Sequence, residues 1–333
     1  MESVRTPTIA DVATLAGVSQ QTVSRVLNNQ PSVAKKTRQK VLDAIDELGY
    51  HRNLAARTLA TGSSRVIGVL VSSTSLSGPS SALLAIEQTI RSGGYWVSMA
   101  GLQSQNPEEV SDVISHFIVQ GVDGIIAVAQ TQTAVDATLQ ASAGMPTVLV
   151  TSGQVPGDHP SVDIDQNEGT RQLMTILKGL GHTRIAHISG PTEDLHGQAR
   201  ATAWKDSLPD GETEICFEGD WSAASGYCAT MSLLALPDPP TAIFAANDRM
   251  AFGALRALHE RGMRVPDTMS VVGFDDIEGS DCSIPPLTTV RQNHQDLGLV
   301  AVELLLEAIN GLPARSVKVP PQLLVRSSTG APA

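Results

Sequence analysis

The first fifty residues alternate apolar and polar positions with the spacing of three short helices. The first segment, TIADVATLAG, offers Thr8 as an N-cap, with Asp11 three residues later, and it ends at Gly17. The third segment runs from about residue 35 to residue 48 and is followed by another glycine. This spacing predicts a small helical head at the start of the chain.

The second segment, SQQTVSRVLN, has different chemistry on its two sides. Ser19 is placed to cap it, and at about 100° per residue Val23, Val26 and Leu27 share one face. The other face holds the polar side chains Gln20, Gln21, Ser24, Arg25 and Asn28. A helix, a short turn with a glycine and a second helix predict a helix-turn-helix, whose second helix reads bases in the major groove. A bundle that binds a protein, or a merely solvated helix, would have the same pattern.

The charge is distributed unevenly along the chain. The net charge is −11 for all 333 residues, but residues 1–62 carry +3 and the remainder carries −14. Because Lys and Arg neutralise phosphates, only the head is expected to approach nucleic acid. A solvated charged face is the alternative explanation of this asymmetry.

Beyond the head, apolar runs alternate with helical stretches. The runs are RVIGVLVSS, WVSMAG, GIIAVAQ, PTVLVTS, RIAHISG, TAIFAAN and SVVGFDD. This alternation predicts parallel sheets covered by helices. Neither GxGxxG after the first strand nor GxxxxGK[ST] occurs, so a dinucleotide or nucleoside triphosphate site has little support.

Other classes of protein are disfavoured by composition. No run of about 18 apolar residues occurs, and the N-terminus lacks the layout of a secretory signal, so we expect a cytoplasmic protein with no membrane partner. The three cysteines, Cys216, Cys228 and Cys282, form no CxxC pair, which argues against disulfides and a zinc site. They are expected to be free thiols.

Several motifs together resemble one family. TIADVATLAGVSQQTVSRVLN, with the following KTRQKVLDAIDELGYHRNLAARTLATG, resembles the DNA-binding head of the lactose repressor family of bacterial transcription regulators. The resemblance continues through GDWSAASGY, ANDRMAFGALRAL and SVVGFDDIEGSDCSIPPLTTVRQ, and covers residues 8 to about 327. One departure is Ala34, where the family usually has Ser or Thr, so the third helix should begin less stably by about 1 kcal/mol.

The resemblance implies a small all-α helix-turn-helix head and an α/β body of two parallel-sheet subdomains, similar to periplasmic sugar-binding proteins. Strands are expected to cross between the subdomains near Asp163, Thr289 and Pro320. The expected boundaries are residues 1–52 for the DNA-binding domain, 53–62 for a hinge helix, and 63–330 for effector binding and dimerisation.

The segment NLAARTLATGSS between head and body is predicted to form a helix only when it packs against a partner. Asn53 can cap a helix that ends at Ala60, but helices shorter than about 12 residues are marginal alone in water. The resemblance implies that two such helices pair in the minor groove, with Leu59 as an apolar wedge; a flexible linker is the alternative. The DNA-contacting residues implied are Thr8, Ser19, Gln20, Gln21, Thr22, Ser24, Arg25, Asn28, Asn53, Ala56 and Leu59.

Ligands in such folds bind at the carboxyl ends of strands. Asn247 and Asp275 lie at the carboxyl ends of two of the apolar runs, TAIFAAN and SVVGFDD, and with Arg200 they can make paired hydrogen bonds to adjacent hydroxyls. Trp221 offers a flat surface to a sugar ring. The candidate ligand-binding residues are Leu76, Gly78, Pro79, Ala82, Ile164, His196, Arg200, Trp221, Asn247, Asp275, Gln292 and His294. Alternatively, Asp275 and Arg200 form a structural ion pair and Trp221 belongs to the core.

This set departs from a galactoside site. His196 and His294 are not the residues expected there, and no carboxylate follows the strand near Thr151. A sugar therefore remains the expected ligand, but lactose does not follow. No nucleophile accompanies either histidine, so we expect no enzymatic activity, no cofactor and no metal.

The sequence thus predicts a sequence-specific DNA-binding transcriptional regulator, a repressor controlled by a small sugar or sugar derivative bound between the two α/β subdomains. The expected partners are double-stranded palindromic operator DNA, the sugar effector and a second copy in a homodimer, since no leucine-heptad tail follows PQLLVRSS. The alternative is a sugar sensor that acts through protein partners without binding an operator. The residues leave open whether the sugar releases the protein from DNA or tightens its binding.

Overall fold

In a computed structural model, the described residues are 7–27, 30–50, 62–71, 77–104, 106–209 and 211–332. The chain divides into two compact units, residues 1–64 and residues 65–333. Asn28, Asn53, Ala56, Leu59 and Leu76, all candidate site residues, lie outside the described residues.

The head contains the three predicted helices. They are α1 (Ile9–Ala16), α2 (Gln20–Leu27) and α3 (Lys35–Leu48). Their apolar faces form one small core that includes Val12, Val23, Val26, Val41 and Tyr50. The prediction of three short helices in this segment is therefore confirmed.

Local hydrogen bonds fix where α1 begins and ends. Thr8 and Asp11 form a capping box, in which the Thr8 backbone N–H donates to the Asp11 carboxylate at 2.8 Å. Gly17 ends the helix with φ of +66°, a left-handed conformation that glycine adopts without strain. Ala34 makes no side-chain hydrogen bond at the start of α3, as the sequence predicts.

The body has two α/β subdomains. The sheet of the first subdomain is entirely parallel, and its strands are β1 (Val66–Val71), β2 (Trp96–Gly101), β3 (Gly124–Val128), β4 (Thr147–Val150), β5 (Ser161–Ile164) and β11 (Ser316–Val319), in the order β11-β5-β4-β3-β1-β2. The helices of this subdomain are α4 (Ser77–Ser92), α5 (Pro107–Gln120), α6 (Gln132–Ala141) and α11 (His294–Ile309).

The second subdomain repeats this plan on a smaller scale. Its parallel strands are β6 (Ile185–Ser189), β7 (Cys216–Glu218), β8 (Ala242–Ala245) and β9 (Ser270–Val272), in the order β7-β6-β8-β9. Its helices are α7 (Gln166–Gly179), α8 (Leu195–Asp206), α9 (Ala223–Leu234) and α10 (Asp248–Glu260). A separate antiparallel pair joins β10 (Thr289–Arg291) to β12 (Gln322–Leu324).

The central strands of each large sheet are buried on both faces, which explains their uninterrupted apolar runs. Ile67, Val69 and Val71 of β1 pack with α4 and α11, whereas Leu70 packs on the opposite face with α5. Helices cover both faces of these central strands, so they need no polar side, whereas the edge strands β2, β7 and β11 expose part of their residues. The predicted α/β body of two parallel-sheet subdomains is therefore confirmed.

The chain crosses between the subdomains three times: after β5, after β10, and between β11 and β12. These places lie within a few residues of Asp163, Thr289 and Pro320, where crossings are predicted. Within the ranges given above, no helix is long and apolar enough to span a membrane. The three cysteines are free and exposed.

Candidate effector cavity and DNA-binding surface

Helix α2 presents its polar residues on the outside of the head. Gln20, Gln21 and Arg25 are exposed, whereas Val23 and Val26 are buried in the core. Among the other candidates, Thr8 and Ser19 are exposed and Thr22 and Ser24 are half-buried. An amide pair and a guanidinium on one exposed helix face are the groups that recognise base edges.

The start of α2 is held by two hydroxyl side chains. The Thr22 backbone N–H donates to Ser19 Oγ at 3.2 Å, and the two hydroxyl oxygens are 2.9 Å apart. This cap orients the first turn, where Gln20 and Gln21 lie.

One basic residue of the head has a structural use. Arg38 of α3 donates from Nη2 to the Gln30 carbonyl at 2.7 Å and from Nη1 to the Val26 carbonyl at 3.4 Å. A cation at the carboxyl end of a helix satisfies carbonyls that have no helical partner. The surplus charge of the head is therefore partly used within the head, and Arg38 is less available to phosphates than the sequence count implies.

A cavity lies between the two subdomains of the body. All eleven candidate ligand-binding residues that the structure describes line it. These are Gly78, Pro79, Ala82, Ile164, His196, Arg200, Trp221, Asn247, Asp275, Gln292 and His294. Segments far apart in sequence thus bring their predicted site residues to one place.

Arg200 is the most deeply fixed charge in this cavity. Only 4% of the residue is exposed; its Nε donates to Gln166 Oε1 at 2.9 Å and its Nη1 donates to the Ala246 carbonyl. The guanidinium also stacks over the Phe274 ring at 3.9 Å from the ring centre. Burial lowers the pKa of Arg200, while the Asp275 carboxylate opposes that shift. The group therefore presents a rigid cation to the cavity.

Asp275 faces Arg200 across a short gap. Its Oδ1 lies 3.6 Å from Arg200 Nη2 and accepts a hydrogen bond from Gln292 Nε2 at 2.6 Å. Burial raises the pKa of Asp275, and the neighbouring arginine lowers it in part. The ion pair considered as a structural alternative is therefore present, yet both partners line the cavity. The two interpretations of this pair are compatible.

Asn247 and Trp221 are held together. Asn247 caps α10 by accepting from the Met250 N–H at 2.8 Å, and its amide donates to the Trp221 carbonyl at 3.1 Å. Trp221 is only 8% exposed and packs with the core of its subdomain. Gly190 makes room for the ring, because a Cβ there would lie 2.2 Å from Cζ2. Trp221 is therefore both a core residue and part of the cavity wall.

A carboxylate that the sequence analysis placed only at a crossing lies in the cavity. Asp163 of β5 is 7% exposed; it accepts from Ser152 Oγ at 2.5 Å, and its Oδ1 is 3.4 Å from His196 Nε2. Because the Thr151 N–H donates to the Val162 carbonyl at 3.1 Å, Asp163 stands on the strand beside Thr151. The carboxylate missing near Thr151 is thus supplied from the neighbouring strand.

The two histidines have opposite electrostatic environments. Burial would lower the pKa of His196, but its hydrogen bond to Asp163 and the charges of Asp163 and Asp194 raise it above the usual value. Burial, together with the charges of His196 and Arg200, lowers the pKa of His294 to about 4. At neutral pH, His294 is therefore uncharged.

Two family models match this chain. Residues 8–53 match that of bacterial regulatory proteins, lacI family, and residues 175–329 match a periplasmic binding protein-like domain. The chain is also 38% identical to the lactose operon repressor of Escherichia coli (strain K12), over 97% of this chain and 90% of that protein. The chain belongs to the LacI family.

Two solved structures are similar to this chain over nearly its full length. The crystal structure of the lac repressor dimer bound to operator and the anti-inducer ONPF has a TM-score of 0.90 and 37% identity, covering 98% of this chain and all of that one. The complex of the transcriptional regulator CelR with cellobiose has a TM-score of 0.71 and 31% identity, covering 97% and 99%. As a LacI-family member of such full coverage, the chain is a DNA-binding transcriptional regulator and not an enzyme.

The cavity of this LacI-family protein also contains residues that sequence reasoning missed. They are Val128, Gln130, Val150, Asp163, Asp194, Arg249 and Leu297. Val128 and Val150 are the last residues of β3 and β4, so the rule that found Asn247 at a strand end would have found them too. Arg249 and Leu297 lie inside helices, where no comparable local signal exists.

Proposed function

We propose that this protein is a homodimeric repressor of a palindromic operator, and that a small sugar or sugar derivative bound between its subdomains changes its operator affinity. The observation that carries the proposal is the convergence of eleven predicted residues, from widely separated segments, on one cavity. Residues 1–52 would bind DNA, 53–62 would form the hinge, and 63–330 would bind effector and the second copy. A cytoplasmic location goes with this role.

The chemistry of the cavity supports a sugar. Arg200, Asp275 and Asn247 supply a cation, a carboxylate and an amide, all held by internal hydrogen bonds, and this combination suits adjacent hydroxyls. Pro79, Ile164 and other apolar side chains form the opposite side. A few fixed polar groups in a largely apolar cavity are typical of small-molecule sites.

The similar structures support the DNA and sugar parts of this proposal. In one of them the lac repressor dimer is bound to operator, and in another CelR is bound to cellobiose. The alternative, a sensor that acts through protein partners alone, has less support because this chain matches repressors over nearly its full length. We assign direct readout to Gln20, Gln21 and Arg25.

The remaining DNA contacts are assigned on the family resemblance. They are Thr8, Ser19, Thr22, Ser24 and Asn28 in the head, and Asn53, Ala56 and Leu59 in the hinge. Two symmetry-related heads would bind the two half-sites, and the paired hinge helices would enter the minor groove between them.

The test begins with an operator selected from random DNA and a thermal-shift screen of sugars. A sugar at 100 times its Kd should add about 2.7 kcal/mol of stability, and the same sugar should change the operator shift in a gel. Arg25→Ala should cost roughly 1–3 kcal/mol on the operator and much less on random DNA. A regulator without a selectable operator, or a sugar that binds without affecting the operator shift, would contradict the proposal.

A further inference from the structure

Three consecutive residues at the start of α8 reach from the second subdomain to the first. The Leu195 backbone N–H donates to the Gln130 carbonyl at 2.9 Å, and Gln130 Nε2 lies 3.5 Å from Asp194 Oδ2. His196 Nε2 lies 3.4 Å from Asp163 Oδ1. We refer to residues 194–196 as the clasp, because each of them contacts the facing subdomain.

The side chain of Leu195 is the apolar part of the clasp. Although it belongs to a helix of the second subdomain, it is 8% exposed and lies in the apolar cluster of the first, among residues of β3, β4, α5 and α6. Gly153, just after β4, makes room for it, because a Cβ there would lie 2.7 Å from Leu195 Cδ1. Burial of a leucine across the cleft favours the closed arrangement of the subdomains.

The clasp is adjacent to the effector cavity without filling it. Asp194 and His196 line the cavity, whereas Leu195 lines a separate polar groove beside it, together with Gly153 and Gln198. Leu195 can therefore act on the cavity only through its neighbours.

We infer that Leu195 is a positioning residue for the effector cavity. By anchoring the first turn of α8 to the first subdomain, it keeps His196 against Asp163 and Asp194 against Gln130. These contacts close one end of the cavity. Effector binding then acts on a cleft that the clasp has already brought together, and the strength of the clasp sets how easily the subdomains separate.

The polar part of the clasp makes closure depend on pH. His196 is faced by Asp163 from β5, by Asp194 and Arg200 from its own end of α8, by Asp275 after β9, and by His294 of α11. The two nearest carboxylates raise the pKa of His196. As pH rises through that value, His196 loses its charge and the ion pair with Asp163 is lost. Above the pKa of His196, the apolar contacts of Leu195 stabilise the clasp without that ion pair.

The test compares Leu195→Ala with Leu102→Ala in the full chain without effector. Leu102 is a matched control, because it is also 8% exposed and lies in the same cluster but belongs to the first subdomain. In Leu195→Ala, hydrogen exchange at the backbone amide of position 195 should be at least about tenfold faster than in the wild type, which corresponds to ~1.4 kcal/mol. The radius of gyration from small-angle scattering should rise, and Leu195→Met should restore both. Leu102→Ala should leave both unchanged.

A second arm tests the polar part. The radius of gyration of the wild type should increase between pH 6 and pH 9, and in Leu195→Ala it should be large at both values. Gly153→Ala should also open the cleft, because its Cβ would lie 2.7 Å from Leu195 Cδ1 as well as 2.9 Å from Gln132 Oε1, and combining it with Leu195→Ala should add little. Equal changes in the Leu195 and Leu102 variants, or no change in either, would overturn the inference. If the radius of gyration of the wild type does not change with pH, His196 does not contribute to closing the cleft. No sugar is used, so these outcomes are independent of the proposed effector.

Discussion

The two walls of the effector cavity are built on different principles. The wall from the second subdomain is polar and internally fixed, with Arg200, Asp275 and Asn247 each hydrogen-bonded to protein groups. The wall from the first subdomain is mainly apolar, with Pro79, Val128, Val150, Ile164 and Leu297. Directed hydrogen bonds set the orientation of a ligand, whereas apolar contacts set its size and shape. The second subdomain should therefore determine how a sugar is held, and the first should determine which substituents it can carry.

The largest effect should come from removing the fixed cation. Arg200→Met keeps the length of the side chain but leaves the buried Asp275 carboxylate and the Ala246 carbonyl without their partner. Breaking a buried pair in this way should lower the free energy of unfolding by about 3–5 kcal/mol, as measured by urea denaturation. Arg171→Met is the control, since Arg171 is exposed and pairs with Glu168 on one helix, where a loss below about 1 kcal/mol is expected. Equal losses would show that Arg200 is not a fixed part of the wall.

The next largest effect is the loss of stability at acid pH that His294 causes. Because the pKa of His294 is lowered to about 4 in the folded state, its uncharged form is the one that the fold favours. Its contribution to stability is present above the ordinary histidine pKa and is lost as pH falls from about 6.5 towards 4, by at most roughly 3 kcal/mol. His294→Gln should flatten unfolding free energy against pH in that window.

His196 serves as the comparison for this acid experiment. Its pKa is raised, so its contribution is present at low pH and is lost as pH rises through the raised value. His196→Gln should therefore lower stability at low pH and remove the pH dependence above about 6.5, while the slope on the acid side stays as in the wild type. Two histidine variants that alter the slope on the same side would contradict the assigned environments.

A third effect should appear in effector binding, where the Asp275 carboxylate faces the cavity. Asp275→Asn keeps the size of the side chain but removes the charge that faces the cavity, so affinity for the sugar found by thermal shift should fall about 10- to 100-fold, since a charged hydrogen bond contributes ~1.5–3 kcal/mol. Operator binding without sugar should stay near wild type in a gel-shift titration. Asp112→Asn, on an exposed position of α5, should change neither. Normal sugar affinity in Asp275→Asn would mean that the carboxylate is only structural.

The smallest effect should come from the apolar wall. Ile164→Val removes one methylene next to the cavity, and should reduce the affinity for a sugar with an apolar substituent about fourfold relative to the unsubstituted sugar, since a buried methylene contributes ~0.8 kcal/mol. Ile126→Val is the control, because Ile126 is buried in the same cluster but does not line the cavity. Both should lose about 0.5–1.5 kcal/mol of stability. If Ile126→Val also changed the preference between the two sugars, selectivity would depend on the overall stability of the protein and not on contacts with the apolar wall.

The sequence predicts the head and the polar wall well because their signals are local. Thr8 and Gly17 mark the two ends of α1, and Asn247 lies two residues after the end of β8, at the edge where ligands bind. Asp163 was missed as a cavity residue because its role depends on His196, 33 positions later, and on its pairing between β4 and β11. The clasp could not be predicted either, since Leu195 reads as an ordinary apolar helix residue.

The three crossings also determine when the protein can finish folding during synthesis. The first subdomain needs α11 to cover one face of its sheet and β11 to complete the edge, yet both follow residue 293. The second subdomain needs Ser328, which is fully buried and bonds the Val271 carbonyl at 2.6 Å. Many multidomain chains fold their N-terminal part first as it leaves the ribosome. Here both halves need residues beyond 293, so a chain stalled on the ribosome near residue 290 would expose the face of the first sheet that α11 covers, and the second sheet would lack Ser328 at Val271.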